Sequence, residues 1–173
     1  MQSMLDSLLE YGRIGRETVG SEEEVVAADL VRDVVELASP PASITFTVSA
    51  GFSRIRLERM PLQQVLLNLV TNAIKHHDKP SGNVRIGLAE TSDEYVISVA
   101  DDGPGIAPEF HEDIFQMFTT LPGPGRERNG GLGLAIVRKV LDRCGGRVEV
   151  DSSPGRGSTF TVFWPRTPPN PNR

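Results

Sequence analysis

The chain has 173 residues, enough for one well-buried core and too few for two sizeable domains. Its formal net charge of −5 argues against a general nucleic-acid or anionic-membrane binder, since both need a basic face, so an anionic ligand would require local donors. Cys144 is the single cysteine, which excludes an intrachain disulfide or a thiolate metal cluster and fits a reducing cytoplasm.

No apolar run reaches transmembrane length, and Met1 to Glu10 lacks the basic start and apolar centre of a secretory signal, so a soluble chain is expected. Met4, Leu5, Leu8, Leu9 and Tyr11 fall near helical spacing and predict an amphipathic helix up to Arg16. After the acidic run Glu22 to Glu24, Ala27 to Leu37 reads as a second helix, ended by Ser39-Pro40-Pro41. Ile44 to Val48 and Arg54 to Leu57 alternate as strands and predict an edge hairpin or strand pair. Pro61 suits the first turn of a helix running to about Lys75.

Val84 to Ala89 and Tyr95 to Ala100 are the next strands, the second closing in the turn Asp101-Asp102-Gly103-Pro104-Gly105. A short helix is expected around Pro108 to Phe118, then a mobile loop from Thr119 to Gly131. Leu132 to Cys144 reads as a helix stopped by Gly145-Gly146, and Arg147 to Val150 with Ser158 to Trp164 as an antiparallel pair. The Pro- and Asn-rich end predicts a disordered tail over residues 166–173.

Three segments carry chemistry. On the helix ending at Lys75, Leu62, Val65, Leu66, Leu69, Val70, Ala73 and Ile74 take the inward side, and Gln64, Asn68, Asn72 and Lys75 share the other. Two asparagines cost a helix a few tenths of a kcal/mol each relative to Ala, so something should compensate. An amide oxygen is a hard neutral ligand for Mg²⁺, its NH₂ can donate to phosphate, and a lysine lies beside the pair; alone, the face also reads as merely solvated. Asp101 stands where an apolar strand emerges, with Gly103 and Gly105 leaving room for a flat ligand and Ile106 placed to wall it. Its carboxylate could accept from an exocyclic amine; equally, Asp101 or Asp102 could bond turn amides, Asp102 being the better turn residue. Gly130-Gly131-Leu132-Gly133-Leu134 begins a helix and offers unpaired amides to a phosphate, or serves as a linker.

In this order, the segments resemble the catalytic, ATP-binding domain of sensor histidine kinases, in the superfamily shared with DNA gyrase and a heat-shock chaperone ATPase. Asn68 to His76 resembles the N box, Asp101 to Ile106 and Gly130 to Leu134 the two glycine boxes, Ile114 to Phe118 the F box, and Gly157-Ser158-Thr159-Phe160 the closing strand. The resemblance implies an α/β two-layer sandwich: a mixed, mostly antiparallel sheet with helices on one face, and ATP between the asparagine helix and a mobile lid. It implies Asn72 as Mg²⁺ ligand, and Asn68 and Lys75 as phosphate contacts and catalytic residues, with His76 near the nucleotide. It implies Asp101 as acceptor of the adenine amine, a pocket shaped by Gly103, Gly105, Ile106, Gly131, Leu132, Gly133 and Leu134, and Thr159 at the adenine end. Phe118, Thr119, Thr120, Arg126 and Arg128 belong to the implied lid, where Thr119-Thr120 replaces a frequent aromatic-Arg pair.

Hydrolytic members of the superfamily carry Glu where this chain has Asn68, and an amide cannot take a proton, so phosphoryl transfer rather than hydrolysis is expected. None of His76, His77 and His111 lies in the helix type that carries the phosphoacceptor, while Leu5 to Arg16 resembles the last turns of the second dimerisation helix. The expected organisation is a helical remnant over residues 1–20, a catalytic domain over 21–165 and the tail. The expected partners are a separate dimerisation and histidine-phosphotransfer domain and, indirectly, a response regulator, with no nucleic acid or membrane contact. The isolated chain is expected to be cytoplasmic and monomeric or weakly dimeric. The alternatives are a non-catalytic nucleotide-binding module, a hydrolytic ATPase and an anti-sigma serine kinase.

Overall fold

The computed structural model describes residues 24–119 and 131–167. The helix expected up to Arg16, the lid residues Thr120, Arg126 and Arg128 with Gly130, and the tail beyond Thr167 lie outside the described residues. Five strands form one sheet in the order β2 (Ile44–Val48), β4 (Gly82–Glu90), β5 (Glu94–Asp101), β7 (Ser158–Pro165), β6 (Arg147–Ser152). Only the β2–β4 pair is parallel. The sheet is therefore mixed and mostly antiparallel, as expected.

Among the described residues three helices cover one face: α1 (Ala27–Ala38), α2 (Arg59–Lys75) and α3 (Gly133–Cys144). Each turns a helical stripe inward: Leu30, Val31 and Val34 on α1, Leu62, Val65, Leu66, Leu69 and Val70 on α2, and Ile136, Val137, Val140 and Leu141 on α3. The opposing sheet face supplies Val84, Ile86, Ile97, Val99, Phe160 and Val162 to the same core. Among the described residues no helix is long and apolar enough to cross a membrane.

Helix ends follow local chemistry. Ser39 terminates α1 in the left-handed region at φ 47°, its N–H and hydroxyl both donating to the Glu36 carbonyl, and Pro40-Pro41 bars continuation. Gly145 at φ 72° ends α3, where its left-handed conformation suits a residue without Cβ. Arg59 joins α1 to α2 through Asp33 at 2.9 Å.

Two expectations are corrected. Ile44 to Val48 and the strand after it do not form a hairpin: β2 runs parallel to β4, while β3 (Arg56–Glu58) pairs antiparallel with β1 (Glu24–Val26) in a separate ribbon. The intervening 3₁₀ turn, Ala50–Arg54, buries Phe52 and carries the chain away from the sheet edge before it can fold back on β2. The helix expected over Pro108 to Phe118 is instead two 3₁₀ turns, Pro108–Phe110 and Asp113–Phe115. Ile114 and Phe115 are anchored in the core, and Gln116 already returns to extended backbone, so no longer helix can develop.

Candidate functional site

Burial of the apolar stripe of α2 fixes the azimuth of its polar flank. Asn68 and Asn72 are half-buried one turn apart, and Lys75 is exposed in the last turn. The Asn68 side-chain amide donates to the Gln64 carbonyl at 2.9 Å. Its Oδ1 faces the start of α3, where a Cβ placed on Gly133 would lie 3.1 Å away. Glycine at 133 therefore lets the beginning of α3 approach the asparagine pair. The hydrogen bond from Ile136 N–H to Leu132 O opens that helix, and no side chain caps it, so its first amides point outward beside Asn68. Leu132 is 1% exposed and belongs to the core, Leu134 is partly buried against it, and Gly131 O accepts from Phe118 N–H at 2.9 Å. Phe118 is exposed and Thr119 half-buried.

At the end of central strand β5, Ile97 and Val99 face the helices, and the two-residue period gives Asp101 the same side. Asp101 Oδ1 accepts Gly103 N–H at 2.9 Å, so Asp101, rather than the expected Asp102, makes the local turn bond. Burial pushes the Asp101 carboxyl above its ordinary range; amides of Gly103 and Ser158 pull the other way, and the charge of Asp102 adds to the rise. Gly103 is packed between that carboxylate and the end of α2: a Cβ there would meet Asp101 Oδ1 at 2.8 Å and His76 O at 3.6 Å. Gly105 holds φ +73°, with Ser153 O only 2.0 Å from where its Cβ would stand. Ile106 is buried at the close of the turn.

Two fastenings hold the glycine turn, and neither was read from the sequence. On the β6–β7 side, buried Ser152 accepts Ile106 N–H at 2.8 Å, donates to Gly157 O at 2.8 Å and lies 3.0 Å from Ser158 Oγ. On the α2 side, Asp102 accepts the Asn83 N–H at 2.9 Å and meets His77 Nε2 at 2.9 Å. Burial works to raise the Asp102 carboxyl, but the Asn83 amides and His77 outweigh it and hold the value at about 2.

Register separates two neighbours on β7. Ser158 is opposite Asp101 and shares the helix-covered face with Phe160, whereas Thr159 is opposite Ala100 with its side chain directed to the other face. The structure thus brings Asn68, Asn72, Asp101, Gly103, Gly105, Ile106 and Gly133 to one side, with Lys75 and His76 at its exposed margin, and sets Ser158 rather than Thr159 beside Asp101. Strand parity counted back from Phe160 carried that signal.

The described residues contain no group of three or more His, Cys, Asp or Glu able to hold a metal ion. A cation here would therefore depend on amide oxygen and on ligand phosphates. The half-buried Asn72 fits that role: its side-chain amide has no hydrogen-bond partner among the described residues.

Comparison with known proteins agrees with this geometry. The family described as histidine kinase-, DNA gyrase B-, and HSP90-like ATPase matches residues 57–168. The methanogenesis regulatory histidine kinase FilI of Methanothrix harundinacea is 33% identical over 172 residues, covering 97% of this chain and 19% of that protein. The sensor histidine kinase ZraS of Klebsiella oxytoca is 35% identical over 143 residues, covering 82% and 30%. Full-length ShkA, crystallised in complex with AMPPNP, superposes with a TM-score of 0.76 at 32% identity, over 97% of this chain and 37% of that one. The nucleotide-free catalytic domain of histidine kinase ThkA gives 0.70 at 31%, over 84% and 97%. The chain thus spans less than a third of each of these two curated relatives, at 19% and 30%, and nearly the whole of an isolated catalytic domain, at 97%.

Proposed function

The chain belongs to the histidine kinase-, DNA gyrase B- and HSP90-like ATPase family, with the fold of a sensor histidine kinase's catalytic domain, and from that membership we propose that it binds ATP with Mg²⁺ and donates the γ-phosphoryl group to a histidine. The observation that carries the reading is convergence: Gly133 brings the uncapped start of α3 against Asn68, and Gly103 brings the Asp101 turn against the other end of the same helix. One ligand with an amine-bearing flat ring and an anionic chain would satisfy both ends.

In this proposal Asp101 accepts the adenine amine and Ile106 lies beside the ring, while Asn68, Lys75 and the first amides of α3 hold the phosphates. Asn72 supplies an amide oxygen to Mg²⁺, whose contribution is to neutralise phosphate charge. His76 stands at the rim. Asn68 donates to the Gln64 carbonyl and has no basic site with which to take a proton from water, so it orients the polyphosphate and does not promote hydrolysis.

The acceptor histidine belongs to a dimerisation domain supplied in cis or in trans, from which a response regulator takes the phosphoryl group. Residues 21–165 act as the catalytic unit of such a cytoplasmic assembly. Titration with ATP should show binding that strengthens with Mg²⁺, and Asn72→Ala should remove the Mg²⁺ dependence; absence of binding would overturn the reading. Mixing the chain and labelled ATP with a separate dimerisation domain should label a histidine there, whereas free phosphate release at several turnovers per second would favour a hydrolase.

A further inference from the structure

Asp102 gathers contacts from His77 and Lys79 in the segment joining α2 to β4 and from Asn83 at the start of β4. Its Oδ1 meets His77 Nε2 at 2.9 Å and accepts Asn83 N–H at 2.9 Å, its Oδ2 lies 3.3 Å from Asn83 Nδ2, and its backbone carbonyl accepts from Lys79 Nζ. The His77 ring is held from both ends. Nδ1 lies 3.3 Å from Lys79 N and 3.2 Å from Lys79 O, so it can accept from the first when neutral or donate to the second when protonated. In either state Nε2–H remains available to Asp102.

The exposures differ sharply: the His77 side chain is 4% accessible and that of Asp102 is 42%. A buried ring reaching outward to a half-open carboxylate is a placed contact, unlike a chance surface pair. Gly82 is part of the arrangement, because a Cβ there would stand 2.0 Å from His77 Nε2. The ring occupies the space that any larger residue at 82 would fill.

The link acts on the base-binding end of the pocket. Gly103, the residue after Asp102, is wedged between Asp101 Oδ1 and the backbone of His76 and His77, with a would-be Cβ 2.8 Å from the first and 3.8 Å from His77 Cα. Any displacement of the 76–77 backbone relative to the glycine turn therefore alters the surroundings of the Asp101 carboxylate. The imidazole also faces the carboxylates of Asp101 and Asp102, with the Lys79 ammonium beside them.

We infer that His77 and Asp102 are positioning residues that lock the glycine turn to the end of the asparagine helix and so set the discrimination for a base carrying an exocyclic amine. This rests on the ATP-binding reading above. Neither side chain need touch the nucleotide: Asp101 makes the contact, and the pair holds it at the right place and orientation.

Affinities for ATP and for inosine triphosphate, which has a carbonyl oxygen in place of the amine, test the inference on the whole chain. His77→Phe fills the space over Gly82 without the Nε2–H donor, Asp102→Ala removes the other partner, and Gly82→Ala displaces the ring while leaving both polar residues in the sequence. Each should lower the ATP-over-inosine-triphosphate preference by roughly tenfold, the scale of one charged hydrogen bond, with inosine triphosphate affinity nearly unchanged. The His77→Phe/Asp102→Ala double variant should lose no more than the worse single change, because both break the same link. A preference within about twofold of wild type in the single variants, or equal losses for the two nucleotides, would overturn the positioning role. Wild-type protein that binds neither nucleotide would instead overturn the ATP reading itself.

Discussion

Removing one hydroxyl, in Ser152→Ala, should unsettle both the fold and the proposed base-binding end of the site. Ser152 Oγ accepts from Ile106 N–H and donates to Gly157 O, each at 2.8 Å, and both residues are buried. Alanine leaves that N–H and that carbonyl without their partner and opens too little space for a well-bonded water. Each unsatisfied buried group costs about 1–3 kcal/mol, so after partial relaxation the net loss should be about 2–4 kcal/mol. For a domain of this size that corresponds to a fall in Tm of about 5–15 °C.

Ser158→Ala is the internal control. It removes the 3.0 Å contact with Ser152 but leaves both backbone bonds intact, so its cost should be only about 1 kcal/mol. Thermal unfolding by circular dichroism, with ATP affinity measured on the same samples below the transition, reads both effects. A Tm for Ser152→Ala within about 2 °C of wild type, or a larger fall for Ser158→Ala, would refute the assignment of Ser152 as the fastening of the turn.

Asp101→Asn should leave unliganded stability unchanged or higher, because burial makes its charge unfavourable in the fold, while ATP affinity falls by about tenfold or more. A loss of Tm without ATP would contradict that sign. Asp102 has the opposite sign: its carboxyl lies near 2 in the folded chain against 3.8 otherwise, so its contribution is present above 3.8 and is lost as pH falls toward 2. With a side chain 42% accessible, the full linkage value is discounted for solvent screening to about 1 kcal/mol, and the urea-midpoint gap between wild type and Asp102→Ala should close across that window. Gly157→Ala, at φ +77° with Asp101 O 2.0 Å from the new Cβ, should prevent a stable fold. Gly155→Ala, at φ +79° with nothing within 4 Å, should cost only about 1–2 kcal/mol of backbone strain, as solubility and Tm would report.

What could be read from sequence was local. The asparagine helix, β4, β5 and the glycine turn each announce themselves by period or turn chemistry within a dozen residues, and each lies close to its expected place. The β1–β3 ribbon was hidden because three-residue strands carry no period, and its two partners are separated by a whole helix. The His77–Asp102 link spans 25 residues with no spacing rule to reveal it. Gly82, where any Cβ would collide with the His77 ring, reads in the sequence only as part of the Pro80-Ser81-Gly82 turn signal leading into β4. Ser152 was concealed differently: it occupies an inward strand position where a polar residue reads as the end of the strand.

The fold explains how the proposed base-binding end of the site can be specific. Asp101 closes β5, the middle strand of five, so its backbone is paired on one side by β4 and on the other by β7. The turn beyond it leaves the sheet but gains a fastening on each flank, Ser152 from β6 on one and, on the other, His77 from the α2–β4 segment with Asn83 from the start of β4. A carboxylate held in this way can distinguish an amine from a carbonyl, because shifting to accommodate the wrong base would disturb bonds on both sides. The proposed phosphate-binding end is made differently, from helix-borne amides and the first turn of α3 packed on Gly133, where charge and proximity matter more than a single fixed acceptor. Substitutions at Ser152, His77 or Asp102 should therefore change which base is accepted, while substitutions at Asn72 or Lys75 should change how strongly any nucleoside triphosphate is held.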